Sequence, residues 1–169
     1  VIGKFHAIGI MVNKDDEEVV YWFRQAAEQG HSSAQCMLGN FFYNGSYVDV
    51  NYDTAVEWFE KAAEKGHSSS QFMLGICYYN GRGVTQDNKK AVFWFTKAAE
   101  KGNPDAQYLL GYCYFMGVGV DGDNKKAIYW FVKAAEGGHV EATYQLGYSY
   151  YNGQDVSRAY KEAFYWFEK

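Results

Sequence analysis

The signature Trp-Phe-x-x-Ala-Ala-x-x-Gly recurs along this chain at a fixed interval. Tryptophan stands at Trp22, Trp58, Trp94, Trp130 and Trp166, each 36 residues after the last and each followed by phenylalanine. Glycine closes the copies at Gly30, Gly66, Gly102 and Gly138. A period in this range marks stacked, identical supersecondary units, because one such unit cannot bury its apolar face alone. The spacing predicts one solenoid over residues 1–169, with full repeats at 31–66, 67–102 and 103–138 and partial ones at 1–30 and 139–169.

Each unit divides into two helical patterns. Ala34, Leu38 and Phe42 recur at i, i+4 and i+8 and define a helix A; their equivalents are Ser70, Leu74 and Tyr78, then Ala106, Leu110 and Tyr114, then Ala142, Leu146 and Tyr150. Ala55, Trp58, Phe59, Ala62 and Ala63 form the apolar stripe of a helix B, with Glu57 and Lys61 as an i,i+4 pair on its wet side. Gly45, Gly81, Gly117 and Gly153 follow helix A and suit a left-handed C-terminal residue. Asn103-Pro104 suits the start of a helix A, and Asn51, Asp87 and Asp123 suit the N-caps of helix B, with Ser157 in that role in the last unit. Gly39, Gly75, Gly111 and Gly147 fall inside helix A, where glycine costs about 1 kcal/mol relative to alanine. Their recurrence predicts a close crossing of helix B over that point.

Composition bounds the function classes. The formal net charge is -4 with both signs well mixed, which argues against nucleic acid as the main partner, since phosphate binding needs a clustered basic face. No apolar run reaches the ~20 residues of a membrane-spanning helix, so no membrane insertion is expected. Cys36, Cys77 and Cys113 are odd in number and unpaired in spacing, and suit small apolar helix residues better than a disulfide framework. His31, His67 and His139 share one slot before helix A; equivalent positions in neighbouring units lie ~8–10 Å apart, too far for a shared metal ion with bonds of ~2 Å. They read as capping or loop residues. Glu57, Glu60 and Glu64 read as a solvated face, and no G-x-x-x-x-G-K-[ST] loop is present. The expectation is a protein that is not an enzyme and uses no cofactor or metal.

The A-to-B link reads Gly81-Arg82-Gly83-Val84-Thr85-Gln86-Asp87 and Gly117-Val118-Gly119-Val120-Asp121-Gly122-Asp123. This G-x-G-V-x-x-D link, the Trp-Phe-x-Lys-Ala-Ala that follows, and Ala-Gln-Tyr-Leu-Leu-Gly at 106–111 together resemble the SEL-like repeat family over essentially the whole chain. Tyr47 and Asp155 replace the second loop glycine, and Thr143 replaces the glutamine in the last unit. The resemblance implies an all-α fold, a right-handed α-α superhelix of tetratricopeptide-like helix-turn-helix repeats, and adaptors that hold a partner protein or peptide. One cysteine-rich bacterial branch of that family is linked to β-lactam binding and hydrolysis and carries a cysteine pair in each repeat. This chain lacks those pairs, so that activity is the disfavoured alternative.

In a superhelix of this type helix A lines the concave surface, which solenoids use for binding. The side of helix A opposite its core stripe offers Phe72 and Ile76 in one unit, Tyr108, Tyr112 and Met116 in the next, and Tyr144, Tyr148 and Asn152 in the last. These are the candidate partner-binding residues, with Tyr112 and Tyr148 foremost. The chain begins and ends inside the repeat pattern, which reads as a piece of a longer array. Uncovered apolar residues at its ends (Ile2, Phe5 and Ile8; Ala163, Trp166 and Phe167) predict end-to-end self-association.

Overall fold

Why each segment becomes a helix, and where it stops, is set by its caps. The computed structural model describes residues 14–152 and 160–168. They form nine helices: α1 (Lys14–Glu28), α2 (Ser32–Asn44), α3 (Tyr52–Glu64), α4 (Ser68–Asn80), α5 (Asn88–Glu100), α6 (Pro104–Met116), α7 (Asn124–Glu136), α8 (Val140–Asn152) and α9 (Tyr160–Phe167). Even-numbered helices are A helices and odd-numbered ones are B helices; no strand occurs among the described residues. The side chains of Asn51, Asp87 and Asp123 accept from the backbone N–H three residues on, each at 3.0 Å, as the sequence predicts. Asn103 does the same for α6 at 2.8 Å, ahead of Pro104. Gly45, Gly81 and Gly117 end their A helices in the left-handed region. Ser157, Gly153 and Asp155 lie outside the described residues, as do Ile2, Phe5 and Ile8.

Each helix packs on its chain neighbours, more extensively within a repeat than between repeats. The fold is therefore the expected α-α solenoid. Its intra-repeat joint is a phenylalanine seated on a glycine. A Cβ at Gly39 would lie 2.6 Å from the Phe59 ring, at Gly75 2.5 Å from Phe95, and at Gly111 2.8 Å from Phe131. Phe59 and Phe95 are fully buried and Phe131 nearly so. Burying a phenylalanine is worth about 1.5–3 kcal/mol, which outweighs the mid-helix glycine cost of about 1 kcal/mol. The inter-repeat joint is the tryptophan: Trp58, Trp94 and Trp130 each pack against the buried cluster of the preceding pair of helices. Trp166 packs the same way on the Ala127, Phe131 and Leu146 cluster.

Two further ties join neighbouring helices and repeats. Gln35, Gln71 and Gln107 are buried and donate through Nε2 to the carbonyls of Ala27, Ala63 and Ala99 at 3.0–3.1 Å, closing the end of the preceding B helix. Lys65 Nζ donates to the Gly30 carbonyl at 2.6 Å and Lys101 Nζ to the Gly66 carbonyl at 2.5 Å, each reaching back 35 residues. Gly137 takes this lysine slot one repeat later, so the tie is not repeated there.

One sequence expectation changes in detail. Lys61 does not pair with Glu57 but sits 4.1 Å over the Trp58 ring, where an exposed ion pair has little to offer against the indole face. Cys36 is only 5% exposed, as suits a small apolar helix residue. Helix A is wedged between B helices, so its buried surface extends beyond one stripe to Gln35, Cys36, Gly39 and Phe41. Tyr47 keeps the left-handed turn of the glycine it replaces, with φ 67°, and its ring lies edge-on to Phe41 at 4.9 Å.

Candidate partner-binding face

The candidate residues divide into a packed set and an open set. Phe72 is half-buried, 6.1 Å from Phe95 between ring centres, and Ile76 packs against the cluster around Ala91, Phe95 and Leu110. Tyr108 is half-buried between two repeats: its ring stacks on His139 at 4.4 Å and lies 5.7 Å from Phe131. Burial, then the Glu141 carboxylate, raises the pKa of its hydroxyl above the ordinary 10.0. Tyr112 is half-buried against Ala127, Phe131 and Leu146. By contrast Met116 is 55% exposed, Tyr144 58% and Tyr148 45%. Tyr144 and Tyr148 lie one turn apart on α8 with near-parallel rings, 6.4 Å between centres and 20° between planes. The side chain of Asn152 lies outside the described residues.

The division has a positional cause. Tyr112 and Tyr148 share a repeat slot, but the next A helix is present to cover Tyr112 and no described element covers Tyr148. Phe115 and Tyr151 are also exposed, so the open surface of α6 and α8 comprises Phe115, Met116, Tyr144, Tyr148 and Tyr151. Tyr43 and Tyr79, in the slot of Phe115, are instead half-buried near Phe59 and Phe95 of their own repeats, at 6.3 and 6.4 Å.

Reactive residue types have structural roles here. Cys36, Cys77 and Cys113 are buried and free. Burial pushes the Cys77 thiol up to about 12 and Cys113 up to about 11, so neither is a thiolate near neutral pH. His67 Nδ1 accepts from the Ser70 N–H and His139 Nδ1 from the Ala142 N–H, each at 3.3 Å, so both cap helices; His31 makes no such bond. Burial first, and the nearby Lys101 ammonium second, hold the His67 pKa below its ordinary 6.5. Among the described residues no three His, Cys, Asp or Glu side chains are grouped to hold a metal ion, and no helix is long and apolar enough to cross a membrane. Two shallow grooves, ≈ 620 and ≈ 760 Å³, open on the surface. One is lined by Lys89, Tyr114 and the Gly117–Asp121 loop, the other by Met37, Asn40, Asn44 and Tyr47.

Stacked helical hairpins with capped ends and glycine-seated phenylalanines define an α-α repeat solenoid. Comparison with known proteins agrees. The Sel1 repeat model matches residues 2–31, 32–67, 68–103, 104–139 and 140–169, and the chain belongs to the Sel1 repeat family. Among solved structures it is similar to c5321, a protective antigen of uropathogenic Escherichia coli with an SLR fold. That likeness has 38% identity and a TM-score of 0.85, over 88% of this chain and 32% of that one. A Sel1 repeat protein from Oxalobacter formigenes shares 31% identity with TM-score 0.86, over 91% of this chain and 63% of that one. Cysteine rich protein B of Helicobacter pylori shares 28% identity with TM-score 0.61, over 79% of this chain and 96% of that one. The chain thus spans about a third of the first relative and under two thirds of the second. No curated protein matches. Sel1 repeats are commonly protein–protein interaction modules and generally non-catalytic.

Proposed function

We propose that the chain is a non-catalytic scaffold that binds a protein or peptide across the A helices α6 and α8. The observation that carries this reading is the row of exposed side chains Phe115, Met116, Tyr144, Tyr148 and Tyr151 on two neighbouring helices. Tyrosine offers a large, stiff and half-polar contact area, and methionine adapts to irregular partners. The near-parallel Tyr144 and Tyr148 rings leave little freedom to be lost on binding. Half-buried Tyr108 and Tyr112 pack on the core of α7 and α8, and Phe72 and Ile76 likewise act mainly in packing. The acidic net charge favours a protein over a nucleic acid. A hydrolytic role finds no activated nucleophile in thiols held protonated by burial.

The test is affinity capture from the native source with the full-length protein, then binding measurements on each captured protein. A Met116→Ser/Tyr148→Ala variant is expected to lose at least tenfold in affinity at an unchanged melting temperature. Val140→Ser, which removes an exposed apolar side chain at the start of α8, is expected to bind as the parent does. Equal affinity of the double variant for every partner would refute the assignment of this face.

A further inference from the structure

The A helices are almost free of charge, and the charges they do carry have one sign. Helices α2 and α4 hold no charged side chain, α6 holds only Asp105 and α8 only Glu141. Every lysine and arginine among the described residues stands on a B helix or in a loop. Asp105 and Glu141 share one repeat slot, which holds the exposed Ser33 and Ser69 in the earlier repeats. The acidic pair thus falls on the two helices that carry the open aromatic row. On α8, Glu141, Tyr144, Tyr148 and Tyr151 follow at i, i+3, i+7 and i+10, which sets them on one side of the helix with the carboxylate in its first turn. Asp105 stands in the same relation to Phe115 on α6. Both carboxylates are exposed and flank one imidazole: His139 Nε2 lies 3.6 Å from Asp105 Oδ1, and Nδ1 lies 3.4 Å from Glu141 Oε2. That Nδ1 accepts the Ala142 N–H, so the ring is neutral in its capping role and cancels neither charge. Among the described residues no lysine or arginine pairs with either carboxylate. Lys101, the lysine just before α6, reaches the other way to the Gly66 carbonyl.

The chain itself shows once how a cation sits on this kind of face. Arg82 reaches from its loop onto Tyr43, which holds the slot of Phe115 and Tyr151 in the first full repeat. Its Nη1 donates to the Tyr43 hydroxyl at 2.9 Å, and the guanidinium lies 5.5 Å from the Tyr43 ring centre and 5.4 Å from that of Tyr52. A cation thereby gains ring faces and an oxygen acceptor together. Near α6 and α8 the same elements stand exposed, tyrosine rings beside two carboxylates, with no cation of the described chain on the carboxylates. Resting on the reading of the A-helix face as the partner-binding surface, we infer that the bound segment is basic. Its cationic side chain lies against Asp105 and Glu141, and its apolar side chains cover Met116, Tyr144 and Tyr148. Charge-assisted hydrogen bonds to the carboxylates supply the preference for a cation. An acidic segment meets repulsion that no positive group on these helices offsets.

Binding to the full-length protein is measured by fluorescence anisotropy with three labelled peptides of equal length, in which leucine alternates with arginine, glutamine or glutamate. The arginine peptide is expected to bind about tenfold more tightly than the glutamine peptide, and the glutamate peptide more weakly than either. Asp105→Asn/Glu141→Gln is expected to hold the glutamine peptide as the parent does and to lose the preference for arginine. Glu57→Gln/Glu64→Gln removes two exposed charges from α3 instead and is expected to keep that preference. Met116→Ser/Tyr148→Ala is expected to weaken both the arginine and the glutamine peptide and to leave their ratio unchanged. That variant separates the two claims, since unchanged binding there refutes the A-helix face itself. The basic partner alone is refuted by a parent that binds arginine and glutamine peptides alike, or by a carboxamide variant that keeps the preference. It is refuted equally by an α3 variant that loses the preference as fully, which marks attraction to net charge, or by a parent that binds none of the three.

Discussion

At Gly75 the absence of a side chain decides whether two helices meet. Any Cβ there falls 2.5 Å from the Phe95 ring and 3.3 Å from the Ala91 carbonyl, and the ring has no free space to yield into. Gly75→Val is expected to destabilise the chain by on the order of 3 kcal/mol, seen as a lowered thermal midpoint. An unchanged melt would mean that α4 and α5 do not cross as described. A second residue-scale prediction concerns His67. Its cap needs the neutral ring, and its folded pKa lies below the ordinary 6.5. The unfolded chain therefore takes up a proton first as pH falls through that value. The contribution of His67 is present above about pH 6.5 and is lost on acidification. His67→Asn, which copies the Asn103 cap of the next repeat, is expected to fall less in melting temperature between ~pH 7.5 and ~pH 5.5 than the parent does. An identical fall in both chains would remove His67 from the pH response.

Between elements, the repeats are held in register by polar ties as well as by apolar packing. Gln107 donates to the last turn of α5 from a buried position, beside the Gly102 N–H that donates to the same Ala99 carbonyl, so Gln107→Leu removes one of its hydrogen bonds and is expected to cost about 1–1.5 kcal/mol in a denaturant titration. Lys101→Met removes an exposed tie to Gly66 and is expected to cost less, about 0.5–1 kcal/mol. The helices, their caps and the glycine crossing were legible in the sequence because each is written into every repeat at a fixed slot. The glutamine and lysine ties left the same kind of trace, in Ala-Gln at 34–35 and 106–107 and Lys-Gly at 65–66 and 101–102, but a donor's target cannot be read from its own slot. Exposure was less legible for a similar reason. Tyr112 and Tyr148 are equivalent in sequence, yet one is covered by the following A helix and the other is open. The exposed rings before the tryptophans are less legible because the plainest copy of the signature has Glu57, a charged residue, in that slot.

For the whole molecule, stacking without a central core leaves two long faces free for different tasks. The A-helix face offers tyrosines and a methionine on α6 and α8, and the B-helix face offers rings among charges of divided sign. Because contacts are confined to neighbouring helices, substitutions on one face should leave the other intact, and the two faces can be tested separately. The measurement that bears most directly on the scaffold reading is site-specific photo-crosslinking in the full-length protein, with a photoreactive phenylalanine analogue at position 148 or at position 129. Adducts to a different protein are predicted from position 148, abolished by Met116→Ser, and none to that protein from position 129. No adduct from position 148, alongside capture of the same foreign protein from position 129, would contradict the assignment of the A-helix face.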